Sequence, residues 1–293
     1  MIIDFGSINV DLIFTVHEMP QAGQTLLATG FRTEAGGKGA NQAVAASRDG
    51  ATVVMVGAVG EDAMAGTALQ NLQGAADLSR VARAPVWTGC ASILIDARGR
   101  NMIAVAPGAN LIASSDTIDE ALLEEASIVL MQMENDVSQT EKLVRRTKET
   151  SARSILNLAP AFPLDPETLS LCDLIVVNED EAEALAVWLR CEPSARSLSK
   201  RLNTGVLRTL GGDGAEAVMN GEEIKVSAMG VDVKDTTAAG DCFVGVLASA
   251  LDRGLSLEAA MRRASKAAAI ACSRPGSQSS IPFAAETDNW ITG

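Results

Sequence analysis

Six short apolar, β-branched runs recur along the chain: MIIDFG at 1–6, TVVMVG at 52–57, SIVLMQ at 127–132, SILNL at 154–158, LIVVN at 174–178 and VLRTL at 206–210. A strand that is apolar on both faces has to be covered on both faces, which is the situation of a parallel sheet between helical layers. Helical stretches lie between the runs. From Ala40 to Asp49, residues Ala40, Ala43, Val44 and Ser47 share one face and Gly50 ends the pattern, while DTIDEALLEEA at 116–126 has an acidic first turn. Strand alternating with helix predicts a doubly wound, mostly parallel α/β sheet flanked by helices.

Two stretches interrupt that alternation. Residues 10–34 and 88–106 read as hairpins turning near Pro20 to Gly23 and near Arg98-Gly99, with no helix between their strands. They form either a small sheet standing off the main one as a lid, or edge strands that continue it, and the pattern alone leaves both open. The stretch RPGSQSSIPFAAETDNWITG at 274–293 reads as a loop and a short tail.

The 293 residues, 47% hydrophobic and 21% charged, suit one large domain, here taken over 1–293, or a main domain carrying a small accessory unit. With 24 Lys+Arg against 37 Asp+Glu the net charge is -13, so nucleic acid and anionic membranes are expected to be repelled and a small-molecule partner fits better. No long apolar run and no basic, cleavable start precede the first strand, and a cytoplasmic location is expected. Cys90, Cys172, Cys191, Cys242 and Cys272 are scattered and never paired as C-x-x-C, which reads as reduced thiols. The single histidine, His17, is expected at the surface, and a chain with one histidine excludes H-E-x-x-H metalloproteases.

Glycine motifs narrow the chemistry. The only Gly-Lys pair, Gly37-Lys38, continues with Gly39 rather than Ser or Thr and has Arg32 at the first P-loop position, so there is no Walker A loop. GGDGAEA at 211–217 has dinucleotide-fold spelling, yet strand-like EAVMNGEEIKVS follows it instead of a helix, which argues against a dehydrogenase. In DTTAAGDCFVG, Phe243, Val246, Leu247, Ala250 and Leu251 recur at helical spacing up to Gly254, so a helix starts near Asp241. Small residues there let the free N–H groups of a helix start approach an anion such as phosphate. Asp241 among those donors is either an N-cap or a general base that takes a hydroxyl proton beside a phosphoryl group. GGKGANQA at 36–43 also precedes a helix and offers close backbone approach plus the side-chain donors of Lys38 and Asn41. VVNEDEAEAL at 176–185 ends a strand at Asn178 and starts a helix with acids. These acids either serve the helix dipole or, as Asn178 and Glu181 at a strand's carboxyl end, hold the waters around Mg2+.

GGKGANQA and DTTAAGDCF, in this order and separation, resemble the two signatures of the ribokinase family of sugar kinases, the phosphofructokinase B group. GSINVD at 6–11, AVAPGAN at 104–110, MQMEN at 131–135, VVNEDEA at 176–182, TLGGDGA at 209–215 and SRPGSQSSIP at 273–282 are similar to further family stretches. The resemblance spans nearly the whole chain. It implies ATP-dependent transfer of the γ-phosphoryl group to the primary hydroxyl (O5) of D-ribose, or of another furanose or a nucleoside.

By that resemblance Asp241 matches the catalytic base, and the amides of Ala238, Ala239 and Gly240 match the anion hole. Asn9, Asp11, Gly37, Lys38, Asn41 and Glu134 match sugar contacts. Asn178, Thr209, Leu210, Gly211, Gly212, Asp213, Gly214 and Ser265 match the ATP site, and Asn178 with Glu181 a magnesium-linked motif. Asp235, Thr237, Ala271, Arg274, Gly276 and Ser280 match a monovalent-cation site, implying K+. The two hairpins match the family's lid, which also builds a homodimer interface. Three positions depart from the family pattern: NLAPA at 157–161, Ser265 in place of a larger amide or imidazole, and Val244 where Asn is common. A binding protein that had kept the fold without catalysis would show a damaged base, anion hole or metal motif, and all three are present here. A nucleoside acceptor would need an aromatic or apolar platform, and the chain has no Tyr, six Phe and three Trp.

Overall fold

The computed structural model describes residues 1–290, so the last three residues of the expected tail lie outside the described residues. The strands are β1 (Ile2–Phe5), β2 (Asn9–Thr15), β3 (Gly30–Gly36), β4 (Val53–Gly60), β5 (Asp77–Ala84), β6 (Gly89–Ile95), β7 (Asn101–Ala106), β8 (Ile128–Met131), β9 (Arg153–Asn157), β10 (Leu174–Val177), β11 (Gly205–Thr209), β12 (Ala215–Met219) and β13 (Glu222–Val226). The helices are α1 (Lys38–Arg48), α2 (Met64–Leu69), α3 (Glu120–Glu125), α4 (Val137–Lys148), α5 (Pro166–Leu171), α6 (Glu179–Leu189), α7 (Ala195–Leu202), α8 (Ala239–Asp252), α9 (Leu257–Cys272) and α10 (Ala284–Asn289).

Nine strands form one sheet in the order β13-β12-β11-β10-β9-β8-β1-β4-β5, parallel from β11 to β5 and antiparallel at β12 and β13. All six apolar runs fall on its strands. Each carries core residues on both faces: Ile2 of β1 packs with α1, α8 and α9, while Ile3 and Phe5 pack with the residues of α4 to α7. The stretch after GGDG is strand, the antiparallel hairpin β12–β13, as its sequence predicts.

The two interrupting hairpins pair with each other, β3-β2-β6-β7, as a separate four-stranded sheet with β2 and β6 parallel. The alternative in which they extend the main sheet does not hold. Their turns sit where expected, with Gly23 and Gly99 at positive φ. Two elements correct the sequence reading. DLSRVARA forms the edge strand β5, whose charged, half-exposed alternation hides it from a search for apolar runs, and residues 284–289 of the supposed tail form α10. His17 is exposed, and the five cysteines are unpaired thiols. Among the described residues no helix is long and apolar enough to cross a membrane.

The helix pair α1 and α8 positions everything that follows. On α8, Phe243, Val246 and Leu247 are buried, each stabilising the fold by roughly 1.5–3 kcal/mol. Gly245 lets α1 come close: a Cβ there would stand 2.6 Å from the Cβ of Ala45 and collide with the carbonyl of Gln42. One turn before that crossing, α8 carries Asp241 against Asn41 and Gln42.

Candidate active site

Sheet residues with polar side chains cluster where the parallel strands end, which is where open α/β sheets hold ligands. Ser7 to Asp11 follow β1, Gln132 to Glu134 follow β8, Asn157 ends β9, Asn178 follows β10 and the loop 210–214 follows β11. The start of α8 faces the same end. At the opposite end of β9 to β11 lies a surface concavity of about 960 Å³. Its Lys148 and Arg196 are paired with Asp173 and Glu223, and Arg153 donates to the Leu251 carbonyl.

Asp241 is 8% exposed and both its oxygens are held: Oδ2 accepts from Asn41 Nδ2 and Oδ1 from Gln42 Nε2, each at 2.9 Å. It is therefore not the N-cap. That place belongs to Ala238, a non-glycine residue at φ 57, and no side chain caps the helix. A left-handed Ala is a strained choice of about 1–3 kcal/mol, of the kind found at functional sites. Ala239 N–H donates to the Thr236 carbonyl at 3.2 Å, so Ala238, Gly240 and the helix dipole are what this end offers an anion. A Cβ on Gly240 would meet nothing within 4 Å, and the same holds for Gly211 and Gly212. Both glycine loops thus front open space.

The residues matched to sugar contacts converge beside this helix start. Glu134 Oε2 accepts from Ser7 Oγ (2.5 Å), Lys38 N–H (3.3 Å) and Asn9 Nδ2 (3.4 Å). Asn9 is oriented by Asn110, whose Nδ2 donates to Asn9 Oδ1 at 2.7 Å. Asp11 is cross-strand partner to Glu34, and Gly36 is needed there because a Cβ would collide with the Asp11 carboxylate. Burial, then the charges of Glu134, Glu34 and Asp241, push the Asp11 carboxyl up to about 7. Gly37 turns at φ 92 against the backbone of Ser7 and Asn9. Burial alone would depress the Lys38 ammonium, but Asp241, Glu134, Glu181 and Asp11 outweigh it and its pKa is raised. Lys38 is thereby tied electrostatically to both halves of the cleft.

Asn178 and Glu181 form a reciprocal capping box at the start of α6, Asn178 Oδ1 accepting from Glu181 N–H and Glu181 Oε2 from Asn178 N–H, each at 2.8 Å. Burial raises the Glu181 carboxyl above its ordinary range despite that hydrogen bond and the nearby Lys38. Among the described residues no cluster of three or more His, Cys, Asp or Glu could hold a metal directly. A donor set of one carboxylate and one amide at a strand's carboxyl end suits Mg2+ held largely through water and a substrate's phosphates. Thr209 to Gly214 form the turn out of β11, and Ser265 is buried on α9 with no hydrogen bond to that turn among the described residues.

Asp235 ties two loops together. Its Oδ1 accepts from Thr237 N–H (2.9 Å) and Oγ1 (2.6 Å), and its Oδ2 from Gly276 N–H (3.0 Å). Burial works against the charged form, but these bonds win and hold the carboxyl below its ordinary range. Arg274, Gly276 and Ser280 lie on the second of those loops, which leaves α9 just after Ala271, whose carbonyl accepts from Arg274 N–H. A carboxylate and backbone carbonyls form an all-oxygen donor set, which fits a hard monovalent cation.

Several residues of the site escaped sequence reading: Asp4, Ser7, Glu34, Gln42, Asn110, Gln132, Asn157 and Gln278. Ser7, Gln42, Asn110, Gln132, Asn157 and Gln278 stand inside quoted motifs, so the signal was the motif itself. Glu34 accepts from Ser277 N–H at 3.1 Å and Gln278 Nε2 donates to Asn41 Oδ1 at 3.0 Å, long-range bonds with no local pattern.

Residues 1–284 match the family described as pfkB family carbohydrate kinase. Among curated relatives, the ribokinase of Haemophilus influenzae is 36% identical over 96% of this chain and 95% of its own. The deoxyribokinase of Salmonella typhi is 33% identical over 98% of this chain and 97% of its own. The solved structure of Arabidopsis thaliana ribokinase complexed with ribose and ATP superposes with a TM-score of 0.86 at 28% identity, covering 98% of this chain and 96% of that one.

Proposed function

The chain belongs to the pfkB family of carbohydrate kinases, phosphotransferases with an alcohol acceptor, and from that premise we propose that it transfers the γ-phosphoryl group of ATP to the primary hydroxyl of D-ribose. The observation that carries this reading is Asp241 itself: a carboxylate held by two amide donors at the open, uncapped start of α8.

In the reaction, Asp241 accepts the O5 proton as that oxygen attacks the γ-phosphorus. The bond from γ-phosphorus to the β,γ-bridging oxygen breaks, ADP leaves, and the proton held on Asp241 passes to solvent. Little covalent chemistry is asked of the protein in such a transfer, so positioning and electrostatics do most of it. The amides of Ala238 and Gly240, with the α8 dipole, stabilise charge on the transferring group, the expected third donor Ala239 being taken by the Thr236 carbonyl. Lys38 adds a positive charge, and Asn41 and Gln42 keep the carboxylate aimed. Asn9, Asp11, Gly37, Asn41 and Glu134 hold the sugar hydroxyls, and Asn178, the 209–214 turn and Ser265 border the nucleotide. Mg2+, held by water beside Asn178 and Glu181, would neutralise phosphate charge when bound. K+ on Asp235, Thr237, Ala271, Arg274, Gly276 and Ser280 would order the loop that leads into α8.

The small sheet serves as the lid, delivering Asp11 from β2 and Glu34 from β3. Its outer strand β7 is exposed along its whole length, with Met102, Ile103 and Val105 each about half exposed, and Phe31 of β3 is 60% exposed. An apolar strand left bare in this way fits a homodimer through the lid.

One observation favours a second acceptor: the similarity to a deoxyribokinase is nearly that to ribokinases. The test is ADP formation with D-ribose, 2-deoxy-D-ribose, other furanoses and nucleosides, each in K+ and in Na+. Ribose is expected to give the highest kcat/KM with ribose 5-phosphate as product, and K+ the higher rate. A higher kcat/KM for another acceptor would replace ribose, and equal rates in both salts would remove the cation assignment.

A further inference from the structure

Beneath Asp241 a file of side chains runs from Gln42 inward to the sheet, and its inner members, Gln132 and Asp4, have no part in the reaction above. Asp4 stands within β1, whose four residues are all buried, and strand alternation turns it to the face of Ile2, where α1 and α8 pack. Its side chain is completely enclosed. Gln132, the first residue past β8, donates to Asp4 Oδ1 at 3.0 Å and to Gln42 Oε1 at 2.8 Å. Gln42 donates to Asp241 Oδ1 and to Asn157 Oδ1, both at 2.9 Å.

A primary amide has two donor hydrogens, so the donors of both glutamines are fully committed. The polarity of the file is set from its inner end. An acceptor at Asp4 decides which way the Gln132 amide points, Gln132 decides Gln42, and Gln42 then offers the base a donor rather than a lone pair. An apolar residue at position 4 would match Ile2, Ile3 and Phe5 and avoid burying a carboxyl at all. Burial pushes the Asp4 pKa well above the usual carboxylate range, the Gln132 bond lowering it and the charge of Asp241 raising it. The neutral acid that burial favours carries an O–H donor, while Gln132 Oε1 is a buried acceptor without a partner.

We propose that Asp4 is a positioning residue for phosphoryl transfer: acting through Gln132 and Gln42, it fixes the amide that orients Asp241. This rests on Asp241 being the base. With an apolar side chain at position 4, Gln132 and then Gln42 are free to turn over, and an amide oxygen comes to face the Asp241 carboxylate. Loss of a donor and gain of a lone pair both disfavour the ionised base. The sugar contacts Asn9, Asp11 and Glu134 are not on the file.

The experiment is the pH dependence of kcat, with KM for the sugar, in Asp4→Val and Asp4→Asn, with Asp241→Asn as reference. Asp4→Val is expected to lower kcat about tenfold, to move the acid limb of the kcat profile up by about one pH unit and to change KM by less than about twofold. Asp4→Asn keeps an acceptor at Oδ1 and a donor at the other position, and is expected to recover both kcat and the acid limb. Should Asp4→Val fail to fold, Gln132→Met cuts the same file one link nearer the base and carries the same expectation. An unchanged kcat and acid limb in a folded Asp4→Val or Gln132→Met protein overturns the proposal, as does a loss in Asp4→Asn equal to that in Asp4→Val. Parental turnover in Asp241→Asn would instead remove the base assignment, and this proposal with it.

Discussion

At the helix end of the cleft Asp241 meets two amide donors, Asn41 Nδ2 and Gln42 Nε2, whereas at the small-sheet end Asp11 meets three other acids, Glu134, Glu34 and Asp241, and one ammonium, Lys38. Neutral donors aim a carboxylate without cancelling its charge, so the reactive end is arranged before any ligand arrives. Burial and crowded acids do the reverse: together they push the Asp11 carboxyl up to about 7 against the one nearby ammonium, Lys38. On the proposed reading one end is organised for chemistry and the other takes up the sugar.

Filling the helix end should do the most damage. Gly240→Val adds a side chain where a Cβ would meet nothing, so the fold is expected to stand while kcat falls about 10²–10³-fold, as for loss of one anion-hole donor. Sugar binding measured by calorimetry should be unchanged, which separates the two ends. Neutralising the small-sheet end should act on binding instead. In Glu134→Gln the amide oxygen still accepts from Ser7, Asn9 and Lys38, but sugar hydroxyls lose a charged partner, and KM for the sugar is expected to rise about tenfold with kcat little changed. Equal falls in kcat and kcat/KM would erase the distinction.

The mildest test is pH. Because the Asp11 carboxyl is raised, it is protonated below about 7 and becomes a full acceptor only above it, so kcat/KM for the sugar should climb toward pH 7 and then level. Glu134→Gln removes a like charge and should shift that climb to lower pH. A kcat/KM flat from pH 5.5 to 8 would show that Asp11 does not govern sugar binding.

Much of this architecture is legible in the sequence, for a physical reason. Parallel strands buried on both faces leave continuous apolar runs, so β1, β4, β8, β9, β10 and β11 announce themselves, and helix starts rich in glycine mark the loops of α1 and α8. β5 does not, because an edge strand alternates charged residues with half-buried ones, and α10 is too short to show a period. Site residues inside motifs are equally readable. The file from Asp4 to Asp241 is not, since its bonds join residues 90 to 199 positions apart and exist only once β1, β8 and α1 are stacked. Asn178 and Glu181 are legible as residues at a helix start, and their pairing in a reciprocal capping box appears only in the folded α6.

Asp241→Asn offers the most direct test, because it keeps the size of the side chain and removes its capacity to take a proton. Sugar-dependent ADP release and calorimetric sugar binding should be measured on one preparation. The account predicts that binding persists while kcat falls about 10²–10⁴-fold. Near-parental turnover would contradict it and reduce Asp241 to a structural acceptor for Asn41 and Gln42.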